Sequence, residues 1–131
     1  MTTIVVGWMP DEFGEAALAR AIEEAKLRDG RVVVVNATRG DALVDDRYAD
    51  EEQLARLADE LGGAGVEVDV HRSMGADVGD QVLSVADEVS ADLVVIGLRR
   101  RSPVGKLLMG SVAQRILLHA ECAVLAVKPP H

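Results

Sequence analysis

Five short apolar runs punctuate the chain: Thr3–Trp8, Val32–Asn36, Val66–His71, Leu93–Gly97 and Ala123–Val127. The first, second and fourth are continuously apolar, as strands covered on both faces are. The third sits in VEVDVHR, where apolar and polar residues alternate, and predicts a strand with one wet face at a sheet edge. The fifth stops at Lys128-Pro129-Pro130, because proline cannot continue a ladder. Between the runs, apolar residues recur with helical period. Leu18, Ala21, Ile22 and Ala25 share one face; Leu54, Leu57, Ala58 and Leu61 share another. Val78, Val82, Val85, Ala86 and Val89 make a third stripe, and Ile116, Leu117 and Ala120 a fourth. The order β-α-β-α-β-α-β-α-β, joined by right-handed crossovers, predicts an α/β fold: a doubly wound parallel sheet of five strands with helices on both faces. In such sheets ligands sit at the carboxyl ends of the strands, where the strand order reverses. Gly7–Trp8, Asn36–Ala37 and Gly97 stand at such ends.

A length of 131 residues is read as a single domain over 1–131. One Trp, one Tyr and one Phe leave the core to Val, Leu, Ile and Ala. The net charge of −8 argues against a nucleic-acid binder and against adsorption to an anionic membrane. No apolar run approaches the roughly 18–20 residues of a membrane span, and the N-terminus turns acidic at once, unlike a signal peptide. The single cysteine, Cys122, has no partner for an internal disulfide and reads as a small buried apolar side chain. Together these features predict a cytoplasmic protein. His71 and His119 lack neighbours at metal-ligand spacing, so no metal site is expected from them.

One stretch departs from the acidic background. From Leu93 to Ala120 there are four Arg and one Lys and no acid, so the remainder of the chain carries −13. Within it, GLRRRSPVGKLLMGS (Gly97 to Ser111) lies between the fourth strand and the fourth helix. A glycine ends a strand, a basic loop follows, and Gly110-Ser111 opens a helix. Unpaired N–H groups and the positive dipole end favour an anion there, and Arg99, Arg100, Arg101 and Lys106 supply charge. The same cations also fit a solvated loop face. Gly105-Lys106 does not make a P-loop, because Arg100 and Leu107 stand where Gly and Ser or Thr are required; nor does G-x-G-x-x-G follow the first strand. Ser111 with Gln114 spells a capping box, S-x-x-Q, so its hydroxyl is read first as a helix cap, with the Gly110 and Ser111 amides still available to phosphate. Asp45, Asp46, Asp50, Glu51 and Glu52 suit a solvated loop and first helical turn; Mg²⁺ binding is the minor reading.

With these residues in view, the chain resembles the universal stress protein family over essentially its whole length. The match is carried by VVIG and by GLRRRSPVGKLLMGSVAQRILLHAECAVLAVK, in which Gly97, Arg100, nine residues and Gly110-Ser111 keep the family's spacing of G-x-x-G, nine residues, G-S. The resemblance implies a Rossmann-like, adenine nucleotide alpha hydrolase-like sheet of order 3-2-1-4-5. It also implies an ATP- or AMP-binding stress-response module, not an enzyme beyond weak ATP hydrolysis, that forms a homodimer through the last strand, 123–127. The adenosine side falls near Gly7, Trp8, Met9 and Ala37. The phosphate side falls on Gly97, Arg99, Arg100, Gly110, Ser111 and Val112, with Mg²⁺ as a possible companion. Two positions depart from the family pattern: Met9 stands where the nucleotide binders carry an acid, and Arg100 replaces the middle glycine. Asp11, two residues on, is expected to cap the first helix. These departures set the alternative reading, a dimeric interaction protein of the same family that holds no nucleotide.

Overall fold

The computed structural model describes residues 1–38, 51–75, 77–98 and 110–128. The elements alternate in order: β1 (Thr2–Gly7), α1 (Glu12–Arg28), β2 (Gly30–Thr38), α2 (Glu51–Gly62), β3 (Val68–Met74), α3 (Val78–Glu88), β4 (Leu93–Gly97), α4 (Ser111–His119) and β5 (Ala123–Val127). The sheet is parallel throughout, in the order β3-β2-β1-β4-β5. This is the expected doubly wound topology, with the switch point between β1 and β4. The alternating strand, β3, lies at one edge and β5 at the other.

Two apolar layers follow from the period of two along the strands. Ile4, Val6, Val32, Val34, Leu93 and Val95 face α1 and α2, packing on Ala17, Leu18, Ala21, Leu57 and Leu61. Val5, Val33, Val35, Val94 and Ile96 face α3 and α4, packing on Val82, Val85, Ala86, Ala113 and Ile116. Valine dominates because a β-branched side chain fits a pleated surface buried on both sides.

Some boundaries differ from the sequence-based expectation. β2 runs from Gly30 to Thr38, longer than Val32–Asn36, because both its edges are paired: Gly30 aligns with Thr2 of β1 and Thr38 with Met74 of β3. β3 begins at Val68 rather than Val66. Leu117 lies outside the buried stripe of α4; Ala113 and Ile116 form it. Cys122 is half-buried, and that burial pushes its thiol pKa up. Glu51 and Glu52 occupy the first turn of α2 as expected, whereas Asp45, Asp46 and Asp50 lie outside the described residues. No helix among the described residues is long and apolar enough to cross a membrane.

Candidate functional site

The turn after β1 is held from two sides. The Trp8 N–H donates to the Val35 carbonyl at 2.9 Å, and the fully buried Asn36 side chain donates to the Trp8 carbonyl at 3.0 Å. The chain then enters α1 through Asp11, whose carboxylate accepts from the Gly14 N–H at 2.8 Å. Asp11 thus caps the helix, as its position predicts; a cap of this kind stabilises by about 1 kcal/mol. Gly14 sits hard against the turn. A Cβ built there would stand 1.9 Å from the Met9 carbonyl oxygen, so the approach of α1 to the turn requires glycine. Gly97 makes a second close approach. Its Cβ would stand 2.5 Å from the Phe13 carbonyl oxygen, which fits the end of β4 against the start of α1.

These contacts leave a cavity of about 280 Å³ at the carboxyl ends of β1 and β4. β1 and its turn contribute Gly7, Trp8 and Met9; α1 contributes Phe13 and Gly14. Val35 and Ala37 come from β2, Val78 and Val82 from α3, and Ile96 and Gly97 from β4. The start of α4 supplies Gly110, Ser111, Val112 and Ala113, with Ile116 behind them. Eight of the ten residues expected to form the site therefore line one cavity: Gly7, Trp8, Met9, Ala37, Gly97, Gly110, Ser111 and Val112. Arg99 and Arg100 lie outside the described residues. The lining that sequence reasoning missed, Phe13, Gly14, Val35, Val78, Val82, Ile96, Ala113 and Ile116, consists mostly of residues that look like ordinary core.

The wall is apolar except at α4, and there one expectation needs correcting. Ser111 does not cap the helix. Gly110 is the N-cap residue, with extended backbone, and supplies no side-chain cap; Ser111 is already the first helical residue. The Gln114 N–H bonds back to the Gly110 carbonyl at 3.0 Å, so the Ser111, Val112 and Ala113 amides are those without an intrahelical acceptor, and all three residues line the cavity. An ion pair fixes this helix to its neighbour: Arg115 donates to Asp80 of α3 at 2.6 Å, which holds the guanidinium still more firmly protonated.

On the other side of Trp8 lies a second cavity, of about 310 Å³, bordered by Asp11 and Glu15 of α1 and Arg56 and Glu60 of α2. Burial raises the pKa of Glu15, and the negative charge of Glu60 raises it further. The buried indole N–H of Trp8 makes no hydrogen bond of standard geometry, yet lies close enough to Glu15 to favour its ionised form. Trp8 is thus the partition between an apolar cavity and an acidic one.

The universal stress protein family model matches residues 1–128. This chain belongs to the universal stress protein family. A universal stress protein from Mycolicibacterium smegmatis is 48% identical over 126 residues, which is 96% of this chain and 97% of the relative. Among solved structures, a universal stress protein from Archaeoglobus fulgidus superposes with a TM-score of 0.82 at 35% identity, covering 98% of this chain and 99% of that one. The Archaeoglobus fulgidus universal stress protein in complex with dAMP superposes with a TM-score of 0.74 at 31% identity, covering 98% of each chain. The universal stress protein fold thus accounts for the sheet order.

Proposed function

We propose that this universal stress protein is a binding module for an adenine nucleotide, AMP or ATP, held at the switch point between β1 and β4. The observation that carries the reading is the convergence of two unlike surfaces on one cavity. An apolar cleft bordered by Gly7, Trp8, Met9, Ala37 and Val82 suits a flat base. The start of α4, where the Ser111, Val112 and Ala113 amides lack intrahelical acceptors, suits a phosphate. Because the Ser111 hydroxyl is not engaged as an N-cap, it adds a further donor. Gly97 keeps the backbone close to the ligand, and Arg99 and Arg100 supply the charge that neutralises phosphate in an otherwise acidic protein. A relative of the same fold bound to dAMP supports an adenine nucleotide as the ligand class.

The module works by occupancy rather than turnover: nucleotide binding changes the surface of a cytoplasmic homodimer joined through the edge strand β5, Ala123–Val127. Mg²⁺ accompanies the phosphates when ATP is the ligand. Isothermal titration with AMP and ATP, each with and without Mg²⁺, tests the reading. Saturable heat with about one site per chain is expected; no heat at millimolar nucleotide overturns it.

Met9 in the lining, with Asp11 engaged as a helix cap, favours a second reading: an interaction protein of the same family without nucleotide. Adenine nucleotide released on denaturing freshly purified protein, detected by absorbance and mass, rules that reading out.

A further inference from the structure

The phosphate side of the proposed site depends on where α4 begins, yet that helix stands on a narrow apolar footing. Of its nine residues only Ala113 and Ile116 are buried, three apart on one face. Apolar packing is non-directional, so it fixes the rotation of such a helix only weakly. Arg115 adds a directional contact. It lies four residues after Ser111, on the same face and one turn on. Its Nε donates to Asp80 Oδ1 at 2.6 Å and stands 3.9 Å from Asp77 Oδ1. Its stem rests over Gly79: a Cβ built there would meet Arg115 Cβ at 3.3 Å and Cγ at 3.4 Å. Asp77, Gly79 and Asp80 are the N-cap and first turn of α3.

The same turn of α3 is tied to the other side of the cavity. The Gln81 side-chain amide donates to the Thr38 carbonyl at 3.0 Å and accepts from the Ser73 hydroxyl at 2.5 Å. Thr38 ends β2 directly after Ala37, which lines the cavity, as do Val78 and Val82 of α3. The start of α3 therefore joins the end of β2, through Gln81, to the start of α4, through Asp80 and Arg115. We infer that Arg115 is a positioning residue for phosphate: through Asp80 it braces α4 on α3 and so holds the Ser111, Val112 and Ala113 amides in place relative to the apolar cleft. Arg115 does not line the cavity, so it acts through the helix and not on the ligand. The inference rests on the nucleotide-binding reading above.

The test is calorimetric titration of the full chain with AMP and adenosine, on the parent, Arg115→Gln, Asp80→Ala and the double variant. Each single change should weaken AMP about three- to fivefold, the upper part of the range for a half-exposed ion pair, because the contact is short. Adenosine, which has no phosphate, should keep its constant within about 1.5-fold, whereas a general loosening of the protein weakens both ligands. The double variant should match the singles, since all three lose one contact. Asp80→Ala gives the decisive sign. If Arg115 acted on phosphate only by its field, removing the neighbouring negative charge would tighten AMP binding; loss of the brace weakens it. AMP binding by Asp80→Ala that is tighter, or weaker by less than about twofold, overturns the inference and leaves the nucleotide reading intact. Equal weakening of adenosine does the same. A parent that binds no AMP overturns the nucleotide reading and the inference with it. The sign at Asp80 decides even if Arg115→Gln does not fold or adenosine binds too weakly to titrate.

Discussion

Substituting Gly14 by alanine sets two effects against each other. Gly14 is the third residue of α1, where alanine favours the helix by up to about 1 kcal/mol. Against this, the new Cβ would stand 1.9 Å from the Met9 carbonyl oxygen and 2.6 Å from the Met9 nitrogen. Ordinary contact begins at 3.4 Å, so helix and turn must separate by about 1.5 Å. Neither atom is the end of a flexible side chain. Overpacking of this kind costs roughly 1–3 kcal/mol, and a backbone–backbone clash belongs at the upper end. The Asp11 cap is strained by the same movement, which adds up to about 1 kcal/mol. Sterics should therefore win by about 2 kcal/mol or more. Urea unfolding followed by circular dichroism measures the total, and the fluorescence of the chain's one tryptophan, Trp8, reports on the turn itself. A Gly14→Ala protein as stable as the parent, or more stable, would refute the close approach on which the shape of the cavity depends.

Gly7→Ala should separate binding from folding: its Cβ meets only Val82 Cγ2, at 3.8 Å, so unfolding stays within about 0.5 kcal/mol of the parent while nucleotide affinity measured by calorimetry falls. Asn36→Ala removes the fully buried donor to the Trp8 carbonyl, and an unsatisfied buried acceptor should lower the urea-unfolding free energy by about 1–3 kcal/mol. Glu15 has a raised folded pKa, so the parent loses stability as pH rises from the unfolded value, near 4.3, through the folded one. Glu15→Gln should therefore be more stable than the parent at pH 7, with the difference in thermal midpoint vanishing below about pH 4.

The elements were legible where burial imposes a simple period. Ile4-Val5-Val6 and Val94-Val95-Ile96 are apolar on both faces because helices cover both, and the alternation in β3 marks its edge position. Strand ends were less legible, since the extra residues of β2 are fixed by partners on other strands rather than by its own sequence. The glycines and strand ends of the site were visible as punctuation, but its walls were not. Val35, Val82 and Ile116 lie on the same apolar stripes that build the core, and no local signal distinguishes a side chain that meets a ligand from one that meets another side chain. Gly14 did carry a signal, a poor helix former in an early turn, but its cause is a contact with Met9 that local pattern does not reveal. Ser111 was misread because S-x-x-Q fits a capping box, whereas the backbone enters the helix one residue earlier, at Gly110.

The most direct test of the proposed site is a crystal structure of the protein grown with AMP. The base should lie in the apolar cleft beside Trp8, Met9 and Val82, with the phosphate within hydrogen-bond distance of the Ser111 and Val112 amides. A nucleotide bound elsewhere, or a phosphate directed away from the start of α4, would contradict the account.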